Sequence, residues 1–291
     1  MVRTKVCAPV CELGEGPLWR RESNEFLYLD IEKGRIYAFE YDTKLQSARL
    51  LLECGYRIGA AVLDENGDLV LLTERGVFLC PYGGSEKDFR LLWSVPMKEK
   101  ERFNDAVADP KGRILAGTKR EENCDGKLWI FESGRKPDIL LEGLSISNGM
   151  GFSSDGSTFY HTDSGLKTIF RYNYDLNNGK IRDGEPFIIL DSREGAVPDG
   201  MTVDSEDRIL TAVWGGNAIR IYSPKGILEK NDKILPTQVS SVMLGGKNLR
   251  TLCITSASIG LGNRPEEGTI WIEPYAAPGK EEYRAKLKVG Y

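Results

Sequence analysis

The sequence predicts an all-β protein, a six-bladed β-propeller with a metal site at the mouth of its central channel. Three observations predict it: short apolar segments rich in β-forming residues, turn signals at a near-constant period, and polar residues in register with those turns. The segments EFLYLD, DLVLLT, RILAGT, STFYHT, RILTAV and RTLCIT are each preceded by turn residues, the pattern of successive β-hairpins. No convincing helix stands out.

The turns DENG (64–67), DPKG (109–112), SSDG (153–156) and DSED (204–207) mark the repeat most clearly, and RRES (20–23) and GGKN (245–248) fit the same slot more loosely. Their starts are separated by 44, 45, 44, 51 and 41 residues. That is the spacing of four-stranded blades, and six of them use nearly the whole chain, so residues 1–291 are expected to form one domain. A strand near Val6–Val10, beside TIWIEP (269–274), is expected to complete the last blade and hide edges that an open sheet would expose.

Composition narrows the function. At 41% hydrophobic residues the chain can build a sizeable core. A formal net charge of −4 argues against a nucleic-acid partner, which requires a basic face. No run reaches the length of a membrane span, and the start MVRTKV lacks the apolar stretch of a signal peptide. Cysteines at 7, 11, 54, 80, 124 and 253 form no CxxC pair, and most sit in or beside apolar runs. Buried reduced thiols and a cytoplasmic location are therefore expected. A closed propeller has little need of a partner, so a monomer is expected too.

Five residues before each turn lies a set of equivalent positions: Glu15, Gly59, Asn104, Asn148, Asp199 and Ser240. The strand entering the first hairpin of a blade is the innermost one, so these residues should meet in a ring at one channel mouth. Four of them, Glu15, Asn104, Asn148 and Asp199, carry oxygen ligands suited to hard cations. Two carboxylates and two amides balance a divalent charge and leave coordination positions open for water or substrate. Most residues that follow them are small, which would let backbone and ligand approach closely.

Other constellations carry less. His161 is the only histidine, no GxSxG occurs, and a second histidine for a zincin site is missing. A structural role is expected for His161. GGKN lacks the glycine spacing and the Ser/Thr of a phosphate loop. The five tryptophans fall in strand-like contexts as core residues, with Trp214 a candidate for the pocket wall, and KEKER (98–102) reads as a solvated loop.

The segments GEGPLW (14–19), RFND (102–105), SNGMGFSSDG (147–156) and PDGMTVD (198–204) resemble signature segments of the SMP-30/gluconolactonase/luciferin-regenerating family. LYLDIEKGRIYAFE (27–40) and GGKNLRTLCIT (245–255) also match, so the resemblance runs in order from residue 14 to about 255. It implies a six-bladed propeller, one divalent metal, and hydrolysis of aldonolactones. Carried over by motif, it implies Glu15, Asn148 and Asp199 as metal ligands and Arg102 as a substrate contact. It places Asn104 near metal or substrate, and it implies a further substrate-contacting acid at Glu122, or Glu121.

A lactone is an internal ester, and its hydrolysis needs a polarised carbonyl and an activated water. A divalent ion can supply both. Asp199 is the expected general base, with Glu15 and Asn148 holding the ion and Asn104 and Arg102 orienting the sugar. Oxygen ligands suit Ca²⁺, Mg²⁺ or Mn²⁺, whereas Zn²⁺ and Fe²⁺ usually take nitrogen or sulfur as well; the family has been associated with several of these ions, so the ion stays open. The alternatives are a non-catalytic, metal-binding regulatory propeller and a paraoxonase-like esterase. The second is disfavoured because such sites recruit histidines near the metal. A strictosidine-synthase-like role is disfavoured by the intact acidic ring.

Overall fold

The computed structural model describes residues 2–43, 46–120, 125–262 and 264–287. Among them the protein is all-β, with one short 3₁₀ turn at Glu86–Asp88. Four sheets have four antiparallel strands each. The first runs through Gly14–Arg20, Glu25–Asp30, Arg35–Glu40 and Arg49–Glu53, the second through Ile58–Leu63, Leu69–Thr73, Gly76–Cys80 and Arg90–Trp93. The third contains Glu101–Ala108, Ile114–Arg120, Gly126–Phe131 and Asp138–Leu144, the fourth Ser147–Phe152, Thr158–Asp163, Thr168–Asp175 and Lys180–Ile189.

The remaining strands form one eight-stranded sheet. Val197–Val203, Ile209–Trp214, Ala218–Tyr222 and Leu228–Lys233 make up one side of it. Gln238–Gly245, Thr251–Ala257, Trp271–Pro274 and Thr4–Lys5 make up the other, and the single pair Trp214↔Gln238 joins the two. The N-terminal strand is thus Thr4–Lys5, set against Ile272 and Trp271, rather than Val6–Val10. Val6 still donates to the Ile270 carbonyl at 2.8 Å, but the chain then leaves the sheet.

The second strand of each group reads as a continuous apolar run because it is buried on both faces. EFLYLD and LVLLT are buried along their whole length. Apolar residues of successive sheets interleave between them: Leu27 and Leu29 pack with Leu69 and Leu71, and Val62 and Val70 with Phe103 and Ile114. The outermost strand Leu228–Lys233 (LEKNDK) is exposed, and its charges keep that edge from recruiting another chain. The first strands pack against one another in sequence, and Gly14–Arg20 meets Gln238–Gly245 to complete the circuit.

The clearest turns fall where the sequence places them: the amides of Gly67, Gly112, Gly156 and Asp207 donate to the carbonyls of Asp64, Asp109, Ser153 and Asp204. The two looser ones start a residue later, at Arg21 and Gly246, where Asn24 and Leu249 close the turn. Beyond Pro274 the chain crosses the turn end of the sheets. Ala285 donates to Leu63, Lys286 to Gly112, and Ser205 to Pro278. Cys11, Cys54, Cys80 and Cys253 are buried free thiols, whereas Cys7 is exposed and Cys124 lies outside the described residues. No helix among the described residues is long and apolar enough to cross a membrane.

Candidate active site and metal centre

Each first strand breaks its pairing with the second at the same place. Gly59, Asn104, Gly149 and Ser240 are each an extra residue between two paired positions, and the pairs 16–17 and 199–200 interrupt the other two strands. A bulge of this kind bends the strand and re-aims a side chain. Repeated around the circuit, it turns the residues at or beside it towards a common axis. Two glycines let the strands approach there. A Cβ on Gly59 would lie 2.0 Å from the Phe103 carbonyl oxygen, and one on Gly149 would lie 2.5 Å from that of Asp199.

Glu15, Arg102, Asn104, Asn148 and Asp199 all line one cavity of about 340 Å³, within the size range of small-molecule sites, roughly 300–1,000 Å³. All five side chains are buried. Nη1 of Arg102 donates to Oδ1 of Asn104 at 2.7 Å and to the Phe103 carbonyl at 2.9 Å. Nδ2 of Asn104 donates to the Ser147 carbonyl at 2.9 Å, which ties two sheets together. Nδ2 of Asn148 donates to Oγ of Ser164 at 3.1 Å, and that hydroxyl donates to the Pro198 carbonyl beside Asp199 at 2.7 Å.

The electrostatics of the ring are dominated by buried carboxyl groups close to one another. Burial, then repulsion from Asp199 and Asp105, drives the Glu15 carboxyl well above the usual carboxylate range. Burial, then Asp105, does the same to Asp199, against the opposing charges of Lys119 and Arg102 and a hydrogen bond from Asn148. Oδ1 of Asp199 is buried with no hydrogen-bond partner, which is costly unless something occupies that position. Asp105 is pushed up to about 7, chiefly by burial. Among the described residues no three His, Cys, Asp or Glu side chains cluster as a metal site. The donor set here is two carboxylates with amide oxygens, which fits a hard divalent cation.

The other ring positions do not reach the cavity. Gly59 brings no side chain, and Oγ of Ser240 is engaged by the Gly14 carbonyl and Thr255. His161 is buried away from the ring, with Nε2 2.7 Å from Oγ of Ser147. Glu101 and Arg102 belong to a strand and are buried, so the solvated loop of KEKER ends at residue 100. Glu121 and Glu122 lie outside the described residues.

Trp214 does stand on the cavity wall, with Leu13, Glu32, Arg57, Lys119, Ile146, Ser164, Val197 and Ile259. Arg57 pairs with Glu32 at 2.7 Å. Lys119 and Ser164, which no sequence motif singles out, join Trp214 on this wall; all three lie ten or eleven residues after the start of their turns, at or just past the end of the second strand. The repeat read forwards as well as backwards would have found them.

A circuit of antiparallel sheets around a buried acidic and amide ring, open to a cavity of this size, defines a propeller-type binding or hydrolytic protein. The chain belongs to the SMP-30/gluconolactonase/LRE-like family, whose sequence pattern matches residues 13–258. It is 30% identical to a pentonolactonase, XacC, of Haloferax volcanii, each chain covered over 100% of its length. It is 29% identical to human regucalcin, over 92% of this chain and 96% of the relative. A solved structure of a calcium-binding regucalcin from Agrobacterium tumefaciens superposes with a TM-score of 0.87 at 21% identity, covering 98% of this chain and all of that one.

Proposed function

We propose that this chain is a metal-dependent lactonase, a single six-bladed β-propeller over residues 1–291 that opens a sugar aldonolactone to its aldonic acid. The observation that carries the reading is the pairing of two buried, mutually repelling carboxylates, Glu15 and Asp199, the second with a buried, unpartnered Oδ1, in the lining of a cavity that Arg102 also lines. The full-length relationship to a pentonolactonase supports the substrate class.

Glu15, Asn148 and Asp199 would hold the cation. Asn148 engages Ser164 through its nitrogen, which leaves its amide oxygen for the ring. Asn104 has its oxygen taken by Arg102, so it suits substrate orientation better than ligation. When bound, the divalent ion supplies Lewis acidity to the ester carbonyl and to water.

The protein groups do the rest. Arg102 and Asn104, fixed by their own hydrogen bond, orient the sugar hydroxyls and the ester, and Glu122, or Glu121, would add an acidic substrate contact. Trp214, Val197 and Leu13 give the sugar's C–H faces an apolar wall and exclude bulk water. Asp199 takes the proton of the attacking water on the carboxylate oxygen that does not hold the cation, as the water oxygen bonds to the carbonyl carbon. The ring C–O bond then breaks, and that proton passes to the departing ring oxygen, giving a hydroxy acid.

Aldono-1,4- and 1,5-lactones, aryl esters and phosphotriesters assayed side by side test the reading. Turnover of an aldonolactone well above the other classes is expected. Preference for aryl esters or phosphotriesters would move the chain to a paraoxonase-like role, and metal binding without any turnover would make it a binding protein.

A further inference from the structure

Arg102 and Lys119 stand directly opposite one another on adjacent antiparallel strands. Residues so placed project from the same face of the sheet, and like charges there repel and destabilise it. Both side chains line the cavity that holds the acidic ring. The backbone of Lys119 is fixed on two sides, by its pairing with Arg102 and by an isolated bridge to Ile146 of the next sheet, so the pair is not a frayed end. The charge of Lys119 also reaches the ring, where it opposes the burial that lifts Asp199. Two cations side by side on a cavity wall, beside the acidic ring, suit an oxygen that carries negative charge.

We propose that Lys119 is a substrate-contacting cation that, together with Arg102, binds a negatively charged oxygen of the substrate. The inference rests on the lactonase reading. That oxygen has two possible sources. One is the reaction itself, because the carbonyl oxygen gains charge as water adds and ends in the product carboxylate. The other is a fixed carboxylate or phosphate on the sugar chain.

The experiment compares the metal-loaded wild type with Lys119→Met and Lys119→Arg. Each is assayed for kcat and KM on a neutral aldonolactone and on an aldarolactone bearing a free carboxylate. Aldonate binding is titrated calorimetrically in parallel, a readout that needs no turnover. Thermal melts of the metal-loaded variants run alongside, so that a change in folding is separated from a change in kinetics, and Lys119→Arg keeps the charge as the control. Lys119→Met is expected to lose about ten- to a hundredfold in kcat/KM, with Lys119→Arg retaining most activity. A loss in kcat on both substrates identifies the reaction's own oxygen; a rise in KM confined to the aldarolactone identifies the substituent. Wild-type kinetics in Lys119→Met on both substrates, with aldonate binding unchanged, overturns the proposal. If the wild type opens no lactone while Lys119→Met weakens aldonate binding about tenfold, the lactonase reading fails and the cation pair stands.

Discussion

Nη1 of Arg102 donates a 2.7 Å hydrogen bond to Oδ1 of Asn104, and this bond decides which end of the amide is spoken for. With the Asn104 nitrogen donating to Ser147, the amide is clamped between its own sheet and the next. Breaking the clamp should cost function more than folding. Asn104→Ala is expected to lower kcat/KM about ten- to a hundredfold, the worth of a hydrogen bond to a charged group. Arg102→Lys keeps the charge but loses the planar, rigid guanidinium whose Nη1 reaches both Asn104 and Phe103, so it should also lose activity. Steady-state kinetics on the best lactone, beside thermal melts, checks both. Wild-type kcat/KM in Arg102→Lys would show that the charge alone suffices.

At Gly149 two first strands come close beside Asp199. Its Cβ position lies 2.5 Å from the Asp199 carbonyl and 2.7 Å from the Met201 amide nitrogen, both backbone atoms that cannot swing away. Gly149→Ala should destabilise the fold by about 1–3 kcal/mol and push Asp199 out of register, weakening metal affinity with it. Denaturant unfolding and metal titration measure the two effects. Unchanged stability would mean the strands are free to part here.

His161 is buried, its ring stacked on Phe159, and burial lowers it to about 4. The unfolded chain protonates a histidine near pH 6.5. Between those values the folded state binds fewer protons than the unfolded one, so stability present above about pH 6.5 is lost as pH falls towards 4, by on the order of 3 kcal/mol. His161→Gln can still hydrogen-bond Ser147 but does not titrate. Chemical denaturation of both proteins at pH 7 and pH 5 is expected to show the wild type losing more stability on acidification. An equal loss in both would mean that His161 is solvated.

Much of this was legible in the chain because the repeat forces it. Asp and Gly at fixed offsets set the turns, continuous apolar runs mark strands buried on both faces, and the period puts Glu15, Asn104, Asn148 and Asp199 in one register. Less was legible where the repeat is broken or local. The N-terminal strand closes the last sheet with only Thr4 and Lys5, too few residues to leave a pattern. Glu101 and Arg102 sit in a charged run that looks solvated, yet Glu101 accepts from the buried Thr118 hydroxyl and Arg102 donates to the Asn104 amide oxygen. The bulges that aim the ring inward are pairing defects between strands, and nothing in a single strand's composition announces them.

The measurement that bears most directly on the central claim is activity of metal-stripped protein with single divalent ions added back, for the wild type and Asp199→Ala. The account predicts no lactone hydrolysis by the stripped wild type and recovery with at least one ion. It predicts no recovery in Asp199→Ala at any ion concentration, with circular dichroism showing the variant folded. Full hydrolysis by stripped protein, or by Asp199→Ala, would contradict it.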